Sequence, residues 1–167
     1  MIVTYIITAV IVLISLLIQS HPSFDVIRIA GVKPDLIFII VVYVGYSFGS
    51  FNGQITGFVG GLFHDAASNS PYGFLALPKL TVGFIVGMIG RSVLKSNVPT
   101  IILLLFVSTL LKGIITLFLS YIFTQGMLSS IIHVIIPESF YNALLAPPLF
   151  FLFDKIFHGE LEREGYL

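Results

Sequence analysis

Two ridges of small residues, each carrying one ionisable side chain, contain the residues of this chain that are best suited to chemistry. One ridge repeats every four residues and consists of Gly53, Gly57, Gly61 and Asp65, and the other consists of Lys79, Gly83 and Gly87. Small residues at this spacing let helix backbones approach closely, and an ionisable group in hydrocarbon is costly unless it has a partner. The two ridges therefore predict a packed membrane hairpin that turns near Gly73 and carries both charges at one end.

Asp65 has two interpretations, and the sequence leaves both open. In the first, its carboxylate is the buried partner of a cation, for which Lys79 at the matching end of the facing helix is the candidate. In the second, Asp65 caps the following turn at the membrane interface and accepts hydrogen bonds from the amides of Ala67 or Ser68. The first interpretation predicts that Asp65→Asn weakens assembly more than Asp35→Asn does.

Lys112 lies midway along a long apolar run. A charge at that depth costs about 2.5–3.5 kcal/mol on insertion scales, so its side chain is expected to face the inside of the bundle or a partner protein. An internal ion pair would use Glu138 or Asp65, and a snorkelling side chain is a second structural alternative. A transport role would instead give Lys112 a substrate anion to bind, and the sequence favours the structural interpretations.

Catalytic and metal-binding patterns are missing from the sequence. There is no HExxH zinc pair, no GxSxG nucleophile elbow and no GxxxxGK[ST] phosphate loop. Cysteine is absent, and the four histidines are scattered without ligand spacing. His64 follows the ridge next to Asp65, but adjacent helix residues point about 100° apart, which argues against a proton relay. We predict that the chain is not an enzyme and has neither a metal site nor a cofactor.

Composition defines the class of protein. The chain is 57% hydrophobic and 10% charged, with a mean hydropathy of +1.07, whereas soluble domains carry about 25% charged residues. Such a chain needs the lipid bilayer as its solvent. Net charge is zero and no basic patch occurs, which argues against nucleic acid as a partner. We predict a single polytopic membrane domain over residues 1–167.

The apolar runs predict an all-α bundle of about six transmembrane helices. These are Ile2–Ile18, Leu36–Phe48, Ile55–Ala66, Phe74–Gly90, Val98–Phe123 and Val134–Phe157. The second and third are short for a hydrocarbon core of roughly 30 Å, and one long broken helix over Leu36–Phe63 is the alternative. Prolines at 137, 147 and 148 predict kinks in the last span.

Loop lysines and arginines predict the orientation. With six spans and a cytoplasmic N-terminus, the inner side carries Arg91, Lys95, Lys155 and Arg163, and the outer side carries Arg28 and Lys33. Positive residues accumulate on the cytoplasmic side of membrane proteins. Both termini are therefore predicted to be cytoplasmic.

The order of motifs along the chain resembles the family of the rod-shape-determining protein MreD. The motifs are Pro34-Asp35 opening an apolar span, then Gly57-Phe58, Gly61-Leu62, Asp65, Gly73 and Ala76-Leu77. Lys112 is not part of a signature of this family. The resemblance implies a multi-pass protein of the bacterial inner membrane, with a fold similar to the S-components of energy-coupling-factor transporters. By that analogy, Gly57, Gly61 and Asp65 shape a packing surface.

The same resemblance implies a non-catalytic scaffold subunit of the cell-elongation machinery. Such a subunit binds MreC and supports peptidoglycan synthesis, with MreB, RodA and a class B penicillin-binding protein as indirect partners. The alternative is a substrate-binding subunit of a vitamin transporter, which requires polar and aromatic side chains converging at the outer face. The first loop is short and mixed in charge, and the outer loop over residues 124–130 is nearly featureless, which favours the scaffold.

Overall fold

The protein is a bundle of α-helices. The computed structural model describes residues 2–28, 31–94, 97–124 and 128–163. The helices are α1 (Ile2–Ser20), α2 (Leu36–Phe48), α3 (Ser50–Ser68), α4 (Ala76–Val93), α5 (Val98–Thr124), α6 (Leu128–Ile156) and α7 (His158–Arg163), with a short 3-10 helix (Pro22–Ile27) after α1. The described residues contain no β-strand. The predicted all-α membrane bundle is therefore confirmed, whereas the likeness to transporter S-components stays a prediction.

In the part of the chain that the structure describes, three helices are long and apolar enough to cross a membrane, namely Ile2–Ser20, Val98–Phe123 and His133–Ile156. The apolar helix α2 has 13 residues, and at 1.5 Å per residue it is about 20 Å long, which is less than the hydrocarbon core. Every residue of α2 from Ile37 to Ser47 is buried. Because α2 is surrounded by protein and does not face lipid, its length need not match the bilayer. It is the central helix of the bundle.

A sharp turn at Gly49 separates α2 from α3. Gly49 has a φ of +88°, a conformation that residues with a Cβ rarely adopt. The two helices then fold back on each other. This is shown by the close approach of Gly53 and Gly45, since a Cβ added at Gly53 would lie 2.7 Å from the Cα of Gly45. The alternative of one long broken helix over Leu36–Phe63 is therefore wrong, because α2 and α3 are separate helices that pack against each other. Helix α3 also begins earlier than predicted, at Ser50.

Helix α4 runs antiparallel to α3, so the hairpin expected from the ridges is present. Gly87 of α4 lies beside Ser50 at the start of α3, and Gly61 near the end of α3 lies beside Ala76. The chain between the helices forms a turn over residues 72–75, and α4 therefore begins at Ala76, later than the predicted Phe74. The backbone of α4 departs from helical geometry at Gly90.

Helices α5 and α6 form a second antiparallel pair. The rings of Phe106 and Phe140 lie 5.0 Å apart between their centroids, and the amide of Asn142 donates to the hydroxyl of Thr109 at 3.3 Å. Helix α6 begins at Leu128, earlier than predicted, and continues as one element through its three prolines. The outer faces of both helices carry exposed apolar side chains such as Phe151, which suit contact with lipid.

The bundle has two ends, which we name after the charged residue at each. The Asp35 end is where α1 and α3 finish and where α2 and α4 begin. The Arg91 end lies opposite, and there the guanidinium of Arg91 pairs with Asp154. The hydroxyl of Tyr43 donates to the same carboxylate at 2.9 Å. These contacts join α2, α4 and α6. Lys95, which the sequence places on the inner side, lies outside the described residues.

A contact between α1 and α7 joins distant parts of the chain at the Arg91 end. The hydroxyl of Thr4 donates to Oε2 of Glu160 at 2.8 Å, and Arg163 donates to Oε1 of Glu160 at 2.8 Å. The hydrogen bond from Thr4, together with the nearby Arg163 guanidinium, holds the pKa of the Glu160 carboxyl below its usual range. This contact fixes α1 to the end of the bundle.

Candidate functional site

The carboxylate of Asp35 is the centre of a buried polar network at the Asp35 end. Asp35 is the N-cap of α2, where its Oδ1 accepts a hydrogen bond from the Phe38 amide at 3.0 Å. The backbone amide of Asp35 donates to Oδ1 of Asn142 on α6 at 2.9 Å. An aspartate just before an apolar run is a preferred N-cap, because its side chain satisfies an amide that the helix leaves unpaired. Both its backbone and its side chain are thus fixed.

Two lysines converge on the other oxygen of this carboxylate. The Nζ of Lys79 lies 2.8 Å from Oδ2 of Asp35, and the Nζ of Lys112 lies 3.0 Å from the same atom. The exposed fractions are 6% for Asp35, 1% for Lys79 and 7% for Lys112. Charges this deeply buried are tolerated only when they are paired and hydrogen-bonded. Asp35 therefore neutralises charge contributed by both α4 and α5.

Glu138 and His64 complete the network. Glu138 on α6 pairs with Lys112, and Nδ1 of His64 on α3 lies 3.1 Å from the Nζ of Lys79. The ammonium of Lys112 also lies 4.7 Å above the ring of Phe38. The two lysines balance the two carboxylates, so the network carries no net charge when His64 is neutral. It connects α2, α3, α4, α5 and α6, and so fixes the register of five helices.

Asp65 is buried but does not pair with Lys79. Its carboxylate oxygens accept hydrogen bonds from the amides of Gly73 and Leu75, each at 2.8 Å. Gly73 has a φ of +95°, which a residue with a side chain would adopt only under strain. Of the two interpretations left open, the turn-capping one describes its role, with Gly73 and Leu75 as donors instead of Ala67 or Ser68.

The expected ion-pair partners are therefore corrected. Lys79 binds Asp35 and not Asp65, because the turn between α3 and α4 already uses the Asp65 carboxylate. Of the two candidates for Lys112, Glu138 is in contact and Asp65 is not, and Asp35 is an additional partner. Sequence reasoning missed Asp35 as a site residue, although its position before an apolar span is an N-cap signal.

The glycines of both ridges lie where α3 and α4 touch. A Cβ added at Gly53 or Gly83 would lie 2.4 Å from the carbonyl oxygen of the other residue. At Gly57, Gly61 and Gly87 the nearest atoms would be the Lys79 oxygen at 2.5 Å, the Ala76 Cα at 2.3 Å and the Ser50 Cα at 2.3 Å. These distances are far below van der Waals contact. The glycine faces are buried in the contact between α3 and α4, so they do not face lipid or a partner.

A cavity of about 680 Å³ opens beside the polar network. Asp35, His64, Lys112 and Glu138 line it, together with residues of α1 and of the loop before α2. The cavity therefore brings together polar side chains of several helices, a convergence that the sequence did not predict. Arg28 and Lys33 of the first loop line the cavity too, but His64, Lys112 and Glu138 come from distant parts of the chain, and the loop sequence does not show that they meet there.

The network can hold charge and fix geometry. Among the described residues, no group of three or more histidine, cysteine, aspartate or glutamate side chains is placed to hold a metal ion. The acids instead lie against lysines and backbone amides. What this arrangement does chemically is to neutralise buried charge across the helices of the bundle.

Comparison with known proteins gives the family. No curated protein and no solved structure matched the chain. Residues 1–158 match the family model described as rod shape-determining protein MreD. This match covers nearly the whole chain, and the multi-pass helical fold agrees with it. The chain therefore belongs to the MreD family of membrane proteins, whose role is in rod shape determination.

Proposed function

We propose that this protein is a non-catalytic scaffold subunit of the bacterial cell-elongation complex, where it binds MreC and supports peptidoglycan synthesis. MreB, RodA and a class B penicillin-binding protein are its indirect partners. The observation that carries the proposal is the family match over residues 1–158. The protein lies in the inner membrane, with both termini in the cytoplasm.

The geometry of the core supports a scaffold. Helices α2, α3 and α4 meet through glycines, and the polar network around Asp35 ties them to α5 and α6. Close packing and buried ion pairs specify one arrangement of helices more than they add stability. A subunit built in this way presents a fixed outer surface to partner helices.

The outer surface is apolar, as expected of helices that contact lipid or other membrane helices. Exposed large side chains on α3 and α4 include Phe58, Phe63, Phe84 and Met88. We propose that the ridge residues, together with Gly73 of the turn and Lys112 of α5, act indirectly, by shaping this surface from within. The proposed role covers Gly53, Gly57, Gly61, Asp65, Gly73, Lys79, Gly83, Gly87 and Lys112.

Co-purification from membranes tests the proposal. The tagged protein, extracted in mild detergent, should recover MreC, whereas an unrelated multi-pass protein with the same tag should not. Recovery of a transmembrane coupling subunit with nucleotide-binding proteins, and no MreC, would overturn the scaffold and support the alternative of a vitamin-transporter subunit.

A matched pair of glycine variants tests whether the ridge acts from within. Gly57 is closed in by the backbone of α4, whereas Gly159 has nothing within 4 Å of an added Cβ. Gly57→Ala should lower the amount of folded protein, but the MreC recovered per folded molecule should equal that of Gly159→Ala. A lower recovery per folded molecule would mean that the ridge itself contacts MreC.

A further inference from the structure

The cavity at the Asp35 end lies between two groups of helices. Helix α1 packs against α2 and α3, whereas α5 and α6 pack mainly against each other. Both groups line the cavity, through Leu16 and Gln19 of α1, Thr116 of α5 and Val134 of α6. Its volume of about 680 Å³ lies within the range of small-molecule sites.

The charged side chains of the cavity wall already have partners. Lys112 pairs with both Asp35 and Glu138. Arg28 and Lys33 also interact with other groups of the protein. An ionic ligand would have to break one of these interactions or bring in a charge that has no partner, and either is costly in a buried site. The wall therefore favours a ligand without net charge.

His64 offers a hydrogen-bond donor to the cavity. Its Nδ1 lies 3.1 Å from the Nζ of Lys79. An ammonium can only donate, so Nδ1 accepts, and the neutral ring then carries its hydrogen on Nε2. Nε2 has no hydrogen-bond partner among the described residues, where the hydroxyl of Thr8 is the only unpartnered polar side-chain atom that is closed off from solvent. Nε2 is therefore accessible, and His64 lines the cavity.

Glu138 and Gln19 offer acceptors to the same cavity. Oε1 of Glu138 pairs with Lys112, whereas Oε2 has no partner among the residues that the structure describes and, like Nε2 of His64, is not closed off. The side-chain nitrogen of Gln19 donates to the Ser15 carbonyl at 3.3 Å, which leaves its Oε1 as an acceptor. A hydroxyl group both donates and accepts. Neighbouring hydroxyls on one ligand would therefore suit this set of groups.

Much of the remaining wall is apolar. It includes Leu16, Val32, Phe74, Leu75 and Ile135. A free polyol would leave this surface in contact with water, whereas an attached hydrocarbon chain would cover it. We propose that the cavity binds an uncharged amphiphile whose head carries hydroxyl groups, with the head at His64 and Glu138 and the chain against the apolar wall. This binding site is additional to the scaffold role, and neither depends on the other.

Retention of four compounds with the same hydrocarbon chain tests this site. Monoolein carries hydroxyls, methyl oleate carries none, oleate is anionic and oleylamine is cationic. The protein is purified in an amine-oxide detergent and mixed with equal amounts of the four, and bound compound is counted by native mass spectrometry. We expect monoolein to be retained preferentially, because it alone has hydroxyl donors and no charge.

Matched variants test the polar groups of the wall. His64→Leu and Gln19→Leu should each lower the retention of monoolein about fivefold, which is the scale of one hydrogen bond between neutral groups. His158→Leu and Gln54→Leu make the same changes at residues outside the cavity wall, and they should leave retention unchanged. All four proteins are first shown to elute as folded monodisperse species.

A second pair of variants blocks the cavity without removing a polar partner from the network. Thr116→Phe places a ring in the cavity, whereas Ile114→Phe places the same ring on the face of α5 where Ile114 is 61% exposed. Both proteins must again elute as folded species. Only Thr116→Phe should lose monoolein.

Several results would overturn the proposal: methyl oleate retained as well as monoolein, a charged compound retained better, an equal loss in the His158→Leu control, or full retention in Thr116→Phe. Excess glycerol, which has the hydroxyls without the chain, distinguishes the sources of the ligand. If glycerol displaces monoolein, a soluble polyol is sufficient and the amphiphile is wrong. If it does not, the chain is required and the ligand is a membrane lipid. Recovery of MreC measures the scaffold role separately, so the failure of one proposal is distinguishable from that of the other.

Discussion

Replacing Asp35 with asparagine should lower the free energy of unfolding more than any other single change of a carboxylate to its amide in this bundle. Asparagine has the same shape and is an equally good N-cap, so it can still accept the Phe38 amide. The substitution therefore preserves the cap of α2, but it removes the charge and replaces Oδ2, which accepts from both lysines, with an NH2 group that can only donate. Lys112 would keep Glu138 as its partner, whereas Lys79, which is only 1% exposed, would lose the carboxylate oxygen that lies 2.8 Å from its ammonium.

The expected magnitude follows from that uncompensated charge. Removing one partner of a buried ion pair costs about 3–5 kcal/mol. For a domain of this size each kcal/mol shifts the thermal midpoint by about 2–4 °C, so the shift should be on the order of 10 °C. Asp65→Asn keeps one acceptor oxygen for the two amides of Gly73 and Leu75, and leaving one amide unpaired costs about 1–3 kcal/mol. The expected order reverses the one that the sequence predicts.

The assay is thermal unfolding in detergent. The measured quantity is the fraction of protein that stays monodisperse after heating to each temperature, and the midpoint is read from its loss. A double variant, Asp35→Asn with Lys79→Met, separates charge from other effects. It removes the lysine that has lost its partner, so it should recover part of the lost stability, and the recovery measures the coupling between the two residues. The single variant Lys79→Met completes the cycle.

Two results would refute this reasoning. If Asp65→Asn lowers the midpoint as much as Asp35→Asn, the turn cap matters at least as much as the network. If the double variant is no more stable than Asp35→Asn alone, the lysine is not the source of the loss. The first result would contradict the expected order of the two variants, and the second would mean that Asp35 does not neutralise Lys79.

Two further predictions concern packing and pH. Gly57→Ala should destabilise the protein by about 1–3 kcal/mol, because its Cβ would lie 2.5 Å from the Lys79 oxygen. The control variant Gly159→Ala should be neutral or stabilising. Comparison of the two thermal midpoints checks this prediction, and equal midpoints would contradict it. The lowered pKa of Glu160 contributes stability that is present above its ordinary pKa of about 4.3 and is lost as pH falls through the lowered value. Thr4→Val removes the main cause of that lowering, so the midpoint should fall less between pH 7 and pH 3 than in the unaltered protein, and an unchanged fall would exclude the contribution.

The class of fold was predictable because it depends on composition and on local pattern. A chain with 10% charged residues has no surface suited to water, and long apolar runs in a bilayer must form helices to satisfy their backbone. Glycines at four-residue spacing predicted the close contact of α3 and α4 for the same reason, since the spacing places them on one face of a helix. The membrane environment and the glycine faces can both be read from one segment at a time, without knowing which helix packs against it.

Helix boundaries were predicted less well. Helix α3 begins at Ser50, directly after the turn at Gly49. The apolar pattern in the sequence starts later, so hydropathy placed the beginning of the helix too far along the chain. Helix α4 begins at Ala76 because the amides of Gly73 and Leu75 are held by Asp65. Both boundaries depend on backbone conformations and side-chain caps, which hydropathy does not report.

The sequence by itself determined that this protein lies in a membrane, that its helices pack through small residues, and that its buried charges need partners. Only the tertiary structure decided which partners they have. Asp35 and Lys112 are 77 residues apart in the chain, and their meeting depends on the relative depths of α2 and α5, which are fixed by all the helices between and around them. Asp65 is nearer to Lys112 in the chain than Asp35 is, but its carboxylate accepts hydrogen bonds from turn amides eight and ten residues away. A local pattern can therefore show that a lysine must be paired, but the choice of its carboxylate is a property of the packed bundle.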